Sequence, residues 1–291
     1  KQWYNIQADM PNKPMPPLNP KTKEPLSVDD LAHIFPRECC VQELDTEHRW
    51  IDIPEDVLEK YAYYRSTPLV RAYALEEALG TPAHIYFKNE STNPLGSHKI
   101  NSALPQCYYA KQEGTTNVTT ETGAGQWGMA LSYAAKLYGL EAAVYQVKIT
   151  MQQKPYRSSI MRTFGAVVEG SPSMSTRAGK DILTRDPLHS GSLGTAISEA
   201  VELATTTPNC KYTLGSVLNH VGLHQTIIGL EAEKQMQMAG EYPDVVIGCF
   251  GGGSNFGGIS FPFMRHNLKD GKTTEFIAAE PDSCPKLTRG Q

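Results

Sequence analysis

DVVIGCFGGGSNFGG, residues 244–258, is the stretch on which the fold turns. DVVIGCF (244–250) is an apolar run of buried-strand length, and it passes straight into FGGGSNFGG (250–258), which opens a helix. Strand, glycine turn and helix in that order are the repeating unit of an α/β protein. Three consecutive glycines followed by Ser-Asn exceed what a tight turn needs. Glycines let the backbone bring several N–H groups onto one anion, and the helix N-terminus adds its dipole. Gly251, Gly252, Gly253, Ser254 and Asn255 are therefore expected to cradle a phosphate, Ser254 adding a hydroxyl donor and Asn255 an amide. No Lys-Ser/Thr follows the glycines, so this is not a Walker motif. Without GxGxxG and a downstream ribose-binding acid, a dinucleotide is the weaker choice.

The same alternation extends upstream. Strands are expected at AHIYFKNE (83–90), NVTTE (117–121), AAVYQV (142–147) and AVVEG (166–170), and at EFIAAE (275–280) after the glycine turn; KYTLGS (211–216) reads as a strand or an extended link. Helices are expected over 53–65, 73–80 (closed by Gly80), 101–114, 125–140, 152–165 after Pro155, and 192–207. One long helix is expected over 222–240, and another from the GGGSN turn through His266. Short glycine-rich turns between them predict an α/β doubly wound fold with mostly parallel strands. Residues 1–36 are proline-rich (MPNKPMPPLNP, 10–20) and predict an extended arm along a surface, with one short helix capped by Ser27. The chain stops at PDSCPKLTRGQ (281–291) with no closing element, which suggests that covering helices lie further on.

Two other turns complete the chemistry. ETGAGQWG (121–128) is a second glycine-rich strand-to-helix turn, where Thr122, Gly123, Ala124, Gly125 and Gln126 would present N–H groups to a small anion such as a carboxylate. Glu121 stands at the strand's end, where α/β sites collect; the plainer reading is a charge that merely caps a helix. GSHKIN (96–101) places Lys99 between small and polar residues where a strand hands over to a helix. A lone lysine there is most often a surface residue. Beside a phosphate cradle and a carboxylate cradle it is expected to be an amine that forms an imine with pyridoxal phosphate, burial and the helix N-terminus lowering its pKa. Pro105, six residues on, removes a backbone donor and is expected to kink that helix.

Composition excludes several classes. The net charge of −4 offers no basic field for nucleic acid or an anionic membrane, and no apolar run reaches bilayer-spanning length. KQWYNIQADMP has no signal-peptide h-region, so a cytoplasmic location is expected. The six cysteines (39, 40, 107, 210, 249, 284) form no CxxC pair and read as buried reduced thiols. His220 and His224 alone have helical i, i+4 spacing; with no glutamate neighbour they are a weak zinc signal, and no metal site is expected.

GSHKIN (96–101), ETGAGQWG (121–128) and GGGSN (251–255), in this order, resemble the fold-type II pyridoxal-phosphate enzymes and more closely the tryptophan synthase β-subunits. WYNIQADMP, PLNPKTKEPLSVDDLAHIFP, QKPYR (153–157) and Trp127, where common β-subunits carry His, are similar to the second, stand-alone group. The resemblance implies two doubly wound three-layer domains, the second incomplete here because family members continue beyond Gln291. It assigns 1–64 to a proline-rich arm and helix, 65–98 plus 216–291 to a cofactor domain, and 99–215 to a second domain that includes a mobile closing segment. The implied reaction is β-replacement, L-serine plus indole giving L-tryptophan and water. Lys99 would hold the coenzyme and remove the Cα proton, and Glu121 would assist loss of the β-hydroxyl and orient indole. His98 would pack against phosphate or ring, residues 251–255 would hold the phosphate, and 122–126 the substrate carboxylate. A homodimer is implied, and the stand-alone type argues against an α-subunit partner. The alternatives are a serine or threonine deaminase of the same fold, or an inactive fragment that binds pyridoxal phosphate or phosphate alone.

Overall fold

A computed structural model describes residues 1–290. Along the chain run β1 (Gln2–Tyr4), α1 (Val28–Ala32), α2 (Arg37–Leu44), β2 (Trp50–Asp52), α3 (Glu55–Tyr61), β3 (Leu69–Arg71), α4 (Tyr73–Leu79) and β4 (Tyr86–Lys88). Then come α5 (Ile100–Gln112), β5 (Asn117–Thr122), α6 (Gln126–Tyr138), β6 (Glu141–Val147), α7 (Lys148–Gln153), α8 (Pro155–Thr163), β7 (Val167–Ser171), α9 (Arg177–Arg185) and α10 (Leu193–Thr206). The last elements are β8 (Cys210–Tyr212), α11 (Asn219–Gln225), α12 (Ile227–Met238), β9 (Val245–Cys249), α13 (Ser254–Lys269) and β10 (Glu275–Ala279). They divide into two units. Unit 1 comprises Lys1–Lys13, Thr46–His98 and Gly222–Gln291; unit 2 comprises Pro14–Asp45 and Lys99–Val221.

Unit 2 is built on a parallel sheet of order β7-β6-β5-β8. Strand alternation sends neighbouring residues of β6 to opposite faces. Val144 meets α6, where Gly128 leaves room for it, while Tyr145 and Val147 join Ala196, Ala200 and Ala204 of α10 in a buried cluster. Helices thus cover both faces, the three-layer arrangement of a doubly wound fold. The segment 14–45 is less of a plain arm than expected. Ser27 does cap α1, in a capping box with Asp30, but α2 follows with Cys39 and Cys40 fully buried. Between them the Tyr212 N–H donates to the Ile34 carbonyl (2.9 Å) and the Phe35 ring leans on Tyr212. Edge strand β8 is thereby covered. Pro105 lies inside α5, which continues through it to Gln112.

Unit 1 holds three two-stranded sheets: β1 with β2 and β3 with β4 antiparallel, and β9 with β10 parallel. Val246 packs with Ala232 of α12 and Phe263 of α13, and Gly248 lets the α13 backbone come close. Val245, Ile247 and Ile277 on the opposite face are exposed. The expected long helix 222–240 is broken into α11 and α12 at Thr226, whose hydroxyl donates to the Leu223 carbonyl and accepts from the Tyr4 N–H. Residue 4 lies more than two hundred positions away, a partner that no local pattern announces. A buried charge cluster joins the segment after α3, the end of β4 and α12: Arg65 bonds Glu231 (2.7 Å) and Glu90 (3.0 Å), and Lys88 bonds Glu231 (2.8 Å). The cysteine reading needs one correction, since Cys249 and Cys284 are exposed; all six are free thiols. His220 bonds Glu43 and His224 stacks against Trp3, so each histidine has a structural occupation.

Candidate active site

In unit 2 the chain steps outward from β5 to β6 to β7, and β8 is then laid on the other side of β5. Open α/β sheets place their ligands at the carboxyl ends of the strands beside such a reversal. Glu121 and Thr122 end β5, Tyr212 ends β8, and the 123–125 turn leads into α6. Glu121 thus sits within the strand, one residue before its end. Its carboxylate is 5% exposed and accepts a hydrogen bond from the Tyr212 hydroxyl at 2.5 Å. Burial pushes the carboxyl up to about 7, against the Tyr212 hydrogen bond, bonds from its own backbone and Thr120, and the charge of Lys99, which all pull it down.

Lys99 stands at the N-cap of α5. Burial lowers its amine to about 8, opposed by the Glu121 carboxylate, and its Nζ donates to the Gly215 carbonyl at 2.9 Å. The 122–126 turn is shaped from behind. The Gly123 carbonyl accepts from Thr150, the Ala124 carbonyl from Arg157 (2.5 Å), and Thr122 Oγ1 takes the Gly128 N–H. Gly125 has φ +99°, and a Cβ there would stand 2.9 Å from Arg157 Cδ, so glycine is required. With two carbonyls engaged, the turn's N–H groups and the first turn of α6 are what remain for an anion.

In unit 1 the β9–α13 turn forms the second cradle. Gly253 has φ +97° and opens the sixteen-residue α13, while a Cβ on Gly251 would meet nothing within 4 Å. The Ser254 hydroxyl and His98 Nε2 are hydrogen-bonded at 3.1 Å, and Asn255 Oδ1 accepts from the Cys249 N–H. Asn255 is thus partly used on its own strand. The loop before His98 is wound around buried Asn93, whose side chain accepts from the Leu95 N–H (2.9 Å) and donates to the Ser97 carbonyl (2.8 Å).

Among these, Lys99, Glu121 and 122–126 belong to unit 2, and His98 with 251–255 to unit 1. Four supporting residues were missed. Asn93 carried a signal, the turn dipeptide Asn-Pro. Arg157 lay inside the quoted QKPYR without a role. Tyr212 and Gln106 gave none, because sheet order and the path of 213–215 bring them to their partners. Within unit 2 a buried amine near pKa 8 suits an aldehyde, and within unit 1 an open glycine turn at a long helix's N-terminus suits a phosphate; each is a group that pyridoxal phosphate carries.

The sequence profile of the family described as "Pyridoxal-phosphate dependent enzyme" matches residues 61–291. Solved structures agree on the fold. The apo form of Escherichia coli diaminopropionate ammonia lyase superposes with a TM-score of 0.63 at 19% identity, over 78% of this chain and 61% of that one. The T.th. threonine deaminase gives 0.56 at 21% identity, over 80% and 66%. Fold and site define a pyridoxal-phosphate-dependent enzyme of fold type II. Tryptophan synthase beta chain 2 of Thermotoga maritima is 56% identical over the whole chain, which spans 68% of that relative. Its counterpart in Aeropyrum pernix is 54% identical over 99% of the chain, which spans 65% of it. The chain belongs to the tryptophan synthase β-chain family, and covers about two thirds of the length of these curated relatives.

Proposed function

We propose that this chain carries the β-replacement chemistry of tryptophan synthesis, joining L-serine to indole with release of water, and that Lys99 and Glu121 perform it. Pyridoxal phosphate, when bound, supplies an electron sink for the charge left at the substrate's Cα. The remaining work falls to the chain's own groups. Gly251, Gly252, Gly253, Ser254 and Asn255 would hold the phosphate, with His98 tied to Ser254. The N–H groups of Thr122, Gly123, Ala124, Gly125 and Gln126 would bind the serine carboxylate. The Lys99 amine, near pKa 8, has enough free base at neutral pH to take the Cα proton. Glu121, near 7, can give a proton to the departing β-hydroxyl and then, ionised, accept the indole N–H.

The observation that carries this reading is Glu121, buried at the end of β5 with Tyr212 bonded to it. A serine or threonine deaminase would need the lysine and the phosphate loop but has no use for a carboxyl that orients indole. The organisation we propose for the parent chain keeps 65–98 with 216–291 as the cofactor portion and 99–215 as the amine-bearing portion, after the arm and helix of 1–64. The family resemblance supports a cytoplasmic homodimer without an α-subunit. No helix among the described residues is long and apolar enough to cross a membrane. The test mixes purified protein with pyridoxal phosphate, serine and indole, beside a longer parent chain. Glu121→Ala is expected to abolish indole coupling while visible absorbance from bound coenzyme persists. Equal loss of both would overturn the role given to Glu121.

A further inference from the structure

The Lys99 amine rests on one backbone carbonyl, and the surroundings of that carbonyl are unusually well secured. Gly215 O accepts from Lys99 Nζ at 2.9 Å. The residue before it, Leu214, is held at both of its polar backbone atoms by one side chain: its N–H donates to Gln106 Oε1 (3.1 Å), and Gln106 Nε2 donates to its carbonyl (2.9 Å). That pairing also settles which end of the amide is which. Gln106 is fully buried, with its remaining N–H on Ser102 (2.9 Å). Two positions before Gly215, the Thr213 N–H donates to the Thr119 carbonyl, and its own carbonyl accepts from Thr120 Oγ1 (2.7 Å). Thr120 in turn accepts from the Trp127 indole N–H (2.7 Å). The Trp127 ring lies against Gly215 itself, where a Cβ would fall 2.4 Å from Cδ2. Lys99 and Gln106 are seven residues apart at the start and in the second turn of α5, so one helical face supplies both the amine and the clamp on its acceptor.

Such a clamp is more than a buried turn needs. A lysine that alternates between a covalent bond and a free amine must have a polar partner for its N–H groups in the second state, since an unpartnered amine in an apolar wall is costly. We propose that the Gly215 carbonyl is the seat of the Lys99 amine whenever that amine is not joined to the coenzyme, and that Gln106 is the positioning residue that keeps the seat in place. Trp127 backs the same carbonyl from the other side. The proposal rests on the reading of Lys99 as the coenzyme lysine.

The test is made on the full chain freed of coenzyme. Competitive acylation across pH, read by mass spectrometry on the Lys99 peptide against exposed lysines, gives the titration of this one amine. A carbonyl acceptor favours the ammonium form. Gln106→Leu is therefore expected to lower the Lys99 midpoint by about one unit, a tenfold change. Gly215→Ala forces carbonyl or ring to shift with the amide clamp intact. A Gly215→Ala midpoint that falls as in Gln106→Leu supports the seat. If Gln106→Leu does not fold, the alanine variant decides alone. A midpoint unchanged or raised in a folded variant overturns the proposal. In parallel, borohydride trapping of pyridoxal phosphate on the unaltered protein should label Lys99. Failure there would sink the coenzyme assignment, while an unmoved titration would sink only the seat.

Discussion

Tyr212→Phe is the most revealing single change in this site. It removes one oxygen and leaves a ring of the same shape on β8, so the packing against Phe35 survives. What is lost is the 2.5 Å hydrogen bond into Glu121. That bond favours the charged carboxylate, because the phenol can donate to it fully. A hydrogen bond to a charged group contributes about 1.5–3 kcal/mol. At 1.36 kcal/mol per pH unit this is a rise of about 1–2 units in the Glu121 midpoint. From a starting point of about 7, the carboxyl should move to about 8–9. Glu121 gives up a proton as the β-hydroxyl leaves, so a higher midpoint keeps it competent at higher pH. The assay is the pH dependence of tryptophan formation at saturating serine and indole. The alkaline limb of the variant should lie about 1–2 units above the unaltered protein's, with the two rates converging below pH 6, where both carboxyls are protonated. Superimposable limbs, or a limb displaced downward, would refute the reasoning.

Glu121→Gln should cost activity and gain stability. The Glu121 midpoint lies above its ordinary 4.5, so the folded state binds the proton more tightly and stability is lost as pH rises from about 4.5 through about 7. The cost at pH 8 is about 3 kcal/mol, from 7 − 4.5 units at 1.36 each, and urea unfolding should show that gain in the glutamine variant at pH 8 and little of it near pH 4.5. Ser254→Ala removes one hydrogen-bond partner of His98 and a hydroxyl donor, and spectroscopic titration should show coenzyme affinity falling about tenfold; an unchanged affinity would take Ser254 out of the cradle. Arg65→Met takes the shared cation from between Glu90 and Glu231, leaving Lys88 on Glu231 and Thr67 on both carboxylates, and denaturant unfolding should register a loss of about 3–5 kcal/mol.

The elements that read most plainly from sequence are those whose cause is local. Gly80 closes α4 in the left-handed conformation, Ser27 caps α1, and Pro155 begins α8. The glycine turns at 123–125 and 251–253 announce strand-to-helix corners because other residues cannot take φ near +100° at Gly125 and Gly253. What did not read plainly depends on distant partners. The helix expected over 222–240 is divided at Thr226, whose hydroxyl lies between the Leu223 carbonyl and the Tyr4 N–H, and α2 forms with buried cysteines where the arm gave no regular apolar period. The α9 helix went unforeseen in a polar stretch, RAGKDILTR, and is held at its start by Glu202 on α10, which accepts from the Arg177 and Ala178 N–H groups. Likewise the types of the reacting residues were visible, but the groups that tune them were not. Tyr212 reaches Glu121 only because β8 is laid beside β5, and that neighbour relation belongs to the sheet order.

The division into units bears on how the polypeptide matures. Unit 2 can close as soon as residue 221 is available, since all its strands and the covering segment 14–45 have by then been made. Unit 1 cannot: its opening strand waits until Thr226 has been made, and Arg65 and Lys88 wait for Glu231, which makes 1–13 and 46–98 the stretches in greatest need of chaperone cover during synthesis.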